Sequence, residues 1–425
     1  FSLIKMTAVP KSAFEGCANL STVTDTNNIA TVNGNAFKNS GLTTIDLPKV
    51  TKIDSSAFEG CANLSTVTNT ALLTTLNGSA FKNSGITSLD ITKIKTISAN
   101  VFEGCVNLTE LTNTSGVTSI GGSAFKNTVI VEIDMPNVTS IASSAFEGCT
   151  KLKNVKVKHA GATTIASKAF YGSSIENFNN DVKDEKIINL DGIKKIDVNA
   201  FAETTGIEKV IMPTWAYDGD SSANYVVPTT MLKNSSVVEV DMSGIRQLNL
   251  TKRSYSEIRN NKPGTPQTNI FEGCANLEKV VLSDEITSLP ARMFLNSGIK
   301  YINLGKVKEI GESVFENCEN FVGSETLNAP ELDSLEVIGA YAFKNCVLLT
   351  GEAVLPVNLK TVGGFAFVGT KISSYKNTLG NTNFLVKDGI LYSKDGTTIV
   401  SVAPEYEGTV TLGEGVQVGD YEFVG

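Results

Sequence analysis

An aromatic residue recurs along this chain at an almost fixed interval. Phe14, Phe37, Phe58, Phe81, Phe102, Phe125 and Phe146 are separated alternately by 23 and 21 residues. Two versions of the surrounding stretch take turns. One reads Phe-Glu-Gly-Cys, at Phe14, Phe58, Phe102 and Phe146, and the other Ala-Phe-Lys-Asn, at Phe37, Phe81 and Phe125. A unit near 22 residues is too short to enclose a core of its own, so it buries its apolar side only against the units before and after it. The fold class this dictates is a stacked-repeat solenoid.

One unit can be written out from residues 37–58. Phe37 points inward from a short turn, and Leu42, Ile45 and Leu47 follow as apolar positions, with Thr44 and Asp46 on the opposite face, as in a strand. Pro48 lacks a donor and closes the strand. Ile53 faces inward again, and Asp54-Ser55-Ser56 is placed to cap a one-turn helix carrying Ala57-Phe58. The expectation is a right-handed coil of short parallel strands and one-turn helices, with about fifteen coils of ~22 residues. Two further inward columns run beside the Phe column. The first includes Val32, Ile53, Leu76, Ile97 and Ile120, and the second Val23, Ile45, Val67, Leu89 and Leu111. The residue after each Phe alternates Glu15, Lys38, Glu59, Lys82, Glu103, Lys126, Glu147, which sets opposite charges on neighbouring coils and holds the register.

All seven cysteines, at 17, 61, 105, 149, 274, 318 and 346, share one column, which elsewhere holds Ser40, Ser84, Thr128, Ser173, Thr204 and Ser297. A position that accepts thiol or hydroxyl calls for a small buried side chain, and free, inert thiols are expected. Only Cys318 and Cys346 fall on neighbouring coils, so theirs is the single pairing open to a disulfide.

Past Phe170 the interval widens to Phe201, Met231 and Phe271, and residues 178–190, 213–228 and 246–269 are inserted. The chain divides accordingly into regular repeats at 1–170, repeats with insertions at 171–270, repeats again at 271–380, and a final segment at 381–425. The last opens with a hairpin turning at Lys394-Asp395-Gly396. It breaks off in mid-coil, as expected of a piece of a longer protein. Trp215, the one tryptophan, lies in the inserted block with Tyr217, Tyr225, Tyr255, Arg246, Arg253 and Arg259. These residue types dominate binding hot spots, and long loops on a rigid scaffold carry function, so the block is a candidate binding region. The alternative is that the aromatics only pack the inserts against the coils.

Chemistry is harder to place. His159 is the only histidine, which removes Ser-His-Asp and Cys-His mechanisms and multi-histidine metal sites. Asp46, Asp90, Asp134 and Asp241 recur at one outward strand position, but the first three are spaced two coils apart, about 10 Å, too far to share a cation. They read as an acidic stripe. A net charge of −8 with scattered lysines carries no nucleic-acid footprint, and no apolar run is long enough to cross a bilayer. No cofactor or metal is expected.

The pattern Cys-x-x-Leu-x-x-Val/Ile, strand, Pro, Ile-x-x-x-Ala-Phe resembles the BspA-like (Treponema-type) leucine-rich repeat, and Asp388-Gly389-Ile390-Leu391-Tyr392 is similar to a segment found between such repeats. The resemblance covers nearly the whole chain. It implies a bacterial cell-surface or secreted protein, extracellular, without enzymatic activity, that adheres to host matrix or cell-surface proteins. The expected form is a monomer binding a protein ligand. A glycan-binding module using Trp215 and tyrosines, or a stalk displaying another domain, are the alternatives.

Overall fold

The computed structural model describes residues 1–158, 163–181, 185–213, 227–245, 248, 269–322 and 332–418. They form two compact units, Phe1–Glu208 and Lys209–Gly425.

Each unit is a solenoid of parallel strands in two rows. In the first unit, Thr44–Asp46 lies parallel to Thr66–Thr68, with Ile45 opposite Val67, and Glu132–Met135 pairs Asn154–Val157 with Ile133 opposite Val155. In the other row Ala8–Val9, Thr31–Val32, Lys52–Ile53 and Thr75–Leu76 are joined in sequence, with Val9, Val32, Ile53 and Leu76 in register. The second unit repeats the plan. Val210, Val240, Val280 and Ile302 form one column, and Leu289, Ile310, Ile338 and Val362 the other. Paired residues thus occupy the same position of successive coils, as the sequence columns predict.

The phenylalanines form the third column. From Phe14 to Phe201 successive rings lie 5.0–6.1 Å apart and stay within 25° of parallel. Phe271, Phe294, Phe315, Phe343 and Phe367 make a second stack at 5.3–5.6 Å. Offset stacking at these distances adds to the gain from burying each ring.

The turn that carries each Phe differs from the one-turn helix expected. Around Phe37, the amides of Ala36, Lys38 and Ser40 bond back three residues, while those of Asn35, Phe37 and Asn39 cross to the carbonyls of Ser55, Ala57 and Glu59 in the next coil. Alternate donors are therefore committed outside the turn, and a helix cannot propagate. Residues two before and two after the Phe are left-handed, as at Asn35 (φ 58°) and Asn39 (φ 55°) or Ser56 (φ 57°) and Gly60 (φ 71°). Asn and Gly tolerate that conformation best, which accounts for their recurrence there. The helical stretches are short 3-10 turns, such as those at Thr26–Asn28 and Thr114–Gly116.

One register detail is corrected. The ladder position of the coil assigned to Met231 is held by Leu232, since Thr230 and Asn234 are its flanking left-handed residues and Cys274 Sγ donates to the Leu232 carbonyl at 3.0 Å. The Met and Leu are adjacent, and spacing alone does not separate them. The C-terminal hairpin is a three-stranded antiparallel meander, Phe384–Lys387, Ile390–Ser393 and Thr398–Ser401, with an additional turn at Asp388-Gly389. Asp388 has φ 52° and Gly389 φ 77°, the double left-handed geometry of a two-residue hairpin turn.

The charged column is joined as expected. Lys38 meets Glu59 at 3.1 Å, Lys82 meets Glu103 at 2.9 Å and Lys126 meets Glu147 at 2.8 Å. Partial burial pushes the Glu147 carboxyl up, but hydrogen bonds from Lys126 and Ser144, with the Lys126 charge, outweigh it and hold the group below its ordinary value. A lowered folded pKa stabilises the fold above the unfolded pKa, and that contribution is lost as pH falls through the folded one. Glu147→Gln is expected to cost under about 1 kcal/mol at neutral pH. In denaturation series, the gap from wild type should narrow as pH drops below 4.5.

Candidate functional site

An organised surface runs along the outward side of the strand row that includes Thr44–Asp46. Alternation along each strand turns Thr44 and Asp46 out and Ile45 in, and the parallel register repeats this coil after coil. Its side chains are held by their neighbours. Asp46 accepts hydrogen bonds from Thr68 Oγ1 and Asn69 Nδ2 of the next coil, both at 2.6 Å. Asp90 accepts from the Thr92 amide at 2.9 Å. Burial raises the Asp90 carboxyl, yet the bonds from Thr92 and Asn113 bring it below the ordinary value. A hydroxyl row borders the strands, with Thr43 Oγ1 donating to the Ser21 carbonyl at 3.0 Å and Thr87 and Thr109 donating likewise, each at 3.3 Å, two and three coils on.

The acidic stripe is interrupted rather than continuous. Asp46 stands opposite Thr68, Asp90 opposite Thr112, and Asp134 opposite Lys156. Asp241, in the second unit, stands between Ile211 and Val281 and accepts from the Ser243 amide at 2.9 Å. Intervening threonines and a lysine, legible in the sequence at the same strand position, separate the carboxylates. Among the described residues no group of three His, Cys, Asp or Glu side chains is placed to hold a metal.

Trp215, Tyr217, Tyr225, Arg246, Arg253, Tyr255 and Arg259 lie outside the described residues, as does His159. The seven thiols are free as expected. Six are buried, whereas Cys17 is exposed. Burial pushes the Cys105 and Cys149 thiols up to about 11, far from nucleophilic readiness at neutral pH.

One feature escaped the sequence columns. Tyr341 and Phe365 occupy the left-handed position two residues before Phe343 and Phe367, each with φ 57°, where most other coils carry Ser or Asn. Their rings stack at 5.2 Å, half-buried, with Lys344 Nζ 5.4 Å from the Tyr341 centroid. Aromatic residues rarely accept that backbone conformation. The signal was available in the sequence as two aromatics at equal offset from the ladder. A groove of about 300 Å³, lined by Ser283, Asp284, Asn303, Lys306, Asp333 and Ser334 among others, lies elsewhere on the second unit.

No helix among the described residues is long and apolar enough to cross a membrane. The model of the BspA type leucine rich repeat region matches residues 3–102, 80–190, 232–322 and 321–385. Among solved structures, a leucine-rich repeat protein from Bacteroides ovatus shares 17% identity over 88% of this chain and 88% of its own, with a TM-score of 0.46. A leucine rich cell surface protein from Faecalibacterium prausnitzii shares 19% over 83% and 84%, at 0.35. The pneumococcal vaccine antigen PcpA shares 15% over 65% and 72%, at 0.34. Comparison with curated proteins gives no match.

Proposed function

Because the chain belongs to the BspA-type leucine-rich repeat family, we propose that it is a non-enzymatic, cell-surface or secreted protein whose strand face adheres to another protein. The observation that carries this reading is the face itself. Its polar side chains are repeated in register and pinned by hydrogen bonds such as Thr68 to Asp46, so little side-chain freedom is lost on docking. A host matrix or cell-surface protein is the partner class, bound by a single chain. The inserted block with Trp215, Arg253 and Arg259 supplies a second contact region.

The test is a binding screen of the purified chain against matrix proteins, alongside a glycan array. For a protein that is captured, Thr66→Arg and Glu132→Arg, both at exposed strand positions, are expected to weaken binding at least about tenfold without altering the melting temperature. Retained affinity in these variants sinks the strand-face reading. Loss only on replacing Trp215, Arg253 and Arg259 moves the contact to the inserts. The half-exposed Tyr341–Phe365 pair favours a second reading, a glycan ligand, which a positive array abolished by Tyr341→Ser would establish.

A further inference from the structure

The thiol column contains one anomaly. Wherever a hydroxyl residue precedes a cysteine in the next coil, one arrangement recurs. The Phe37 carbonyl oxygen accepts the Ser40 amide at 2.9 Å and the Cys61 thiol at 2.9 Å, which brings Ser40 Oγ to 3.5 Å from Cys61 Sγ. Ser84 and Cys105, Thr128 and Cys149, Ser235 and Cys274, and Ser297 and Cys318 repeat it with oxygen–sulfur distances of 3.5, 3.4, 3.7 and 3.6 Å. Between Phe315 and Phe343 the same frame holds a sulfur where the oxygen should be. The Phe315 carbonyl accepts the Cys318 amide at 3.0 Å and the Cys346 thiol at 3.1 Å.

The neighbours fix this register on both sides. Asn345 Nδ2 donates to Asn317 Oδ1 at 2.7 Å, and the Phe315 and Phe343 rings stack at 5.5 Å. Two thiols, each on its own coil and each fully buried, are thus set face to face in the frame that elsewhere brings oxygen and sulfur into contact. Neither cysteine lies on a strand, but a coil repeat near the ~4.8 Å of paired strands falls inside the Cα range a disulfide spans. Closure draws the sulfurs from contact to about 2.05 Å and the Cβ atoms to within about 4.5 Å of each other.

We propose that Cys318 and Cys346 are an oxidisable pair that closes to a disulfide when the chain folds in the presence of a small-molecule disulfide. One cysteine, as thiolate, attacks the small disulfide and releases one small thiol, leaving a mixed disulfide on the chain. The second cysteine then displaces the other small thiol. Two protein thiols are oxidised and one small disulfide is reduced to two thiols, with the protons passing to solvent and the released thiolates. Burial raises both protein thiols, Cys318 to about 12, so the exchange belongs to the folding chain, and the packed coils then shield the bond. The structure is the reduced form of this pair.

The experiment refolds the full chain from denaturant in a buffer of oxidised and reduced glutathione, and in parallel under dithiothreitol. Thiols are then counted in denaturant, and the linked peptides are mapped by mass spectrometry. Five thiols in the glutathione sample, seven under dithiothreitol, and a 318–346 peptide link are expected. The oxidised chain should unfold at higher denaturant than the reduced chain, a shift that Cys346→Ser abolishes. Seven thiols in both samples, or a link that joins any other pair, overturns the proposal. So does an oxidised chain that unfolds at lower denaturant, because the coils would then not hold the sulfurs in bonding register. Cys318→Ser, which restores the hydroxyl–thiol pairing of the other coils, keeps the test readable if Cys346→Ser folds poorly.

Discussion

Phe58→Ala is expected to destabilise the first unit by about 3–5 kcal/mol, read as a lower denaturant midpoint with an unchanged slope. The Phe58 ring is fully buried between Phe37 at 5.4 Å and Phe81 at 5.2 Å. Truncation therefore removes its own transfer energy and both stacking contacts. The cavity cannot close by collapse, because the ladders on either side hold the coil spacing through backbone bonds such as Phe58 N–H to the Ala80 carbonyl at 2.8 Å. Phe14, only half-buried in the first coil, should cost distinctly less. Equal losses at the two positions would show that the stack is not the core.

The second large effect is expected at Gly85, for a reason that has nothing to do with left-handed backbone. A Cβ built there meets the Ala62 carbonyl oxygen of the preceding coil at 2.2 Å, closer than any real contact. The obstacle is main chain, and it cannot rotate away. Gly85→Ala is expected to cost about 3 kcal/mol by forcing two coils apart. Gly364 gives the contrast, since nothing lies within 4 Å of its Cβ position. Gly364→Ala should be neutral or slightly stabilising through the unfolded chain. Thermal unfolding of both variants checks this, and similar melting temperatures would contradict it.

How much of this was written in the sequence depends on what each position answers to. The Phe, Ile and Val columns were legible because every coil repeats the same burial, so spacing alone reports which residues meet. Lys82 and Glu103 were legible for the same reason. The Phe turn reads locally as a helix because Asp54-Ser55-Ser56 is a good cap. What overrides it is a commitment of alternate amides to the next coil, a non-local demand that no window of sequence displays. Leu232 beside Met231 shows the limit of periodicity, since two apolar neighbours satisfy the same count. The strand face was only half legible. Its aspartates stood out, but Thr68 and Asn69, which hold Asp46 in place, look like ordinary polar residues until the coils are stacked. Tyr341 and Phe365 lie off the ladder position, at the strained one two residues earlier, so the Phe spacing does not report them.

The alternation between the two kinds of turn has a consequence for how such a chain can lengthen. Lys82 reaches forward to Glu103, Ser84 lies under Cys105, and the Asn83 amide oxygen sits 2.1 Å from where a Cβ on Gly104 would be. Each of these fits needs a Phe-Lys-Asn coil followed by a Phe-Glu-Gly-Cys one. Duplicating 44 residues preserves all three at both new junctions, whereas duplicating 22 places carboxylate beside carboxylate or ammonium beside ammonium. The unit of growth by gene duplication is accordingly the pair, and variants that gain or lose two coils should keep their melting temperature better than those that change by one.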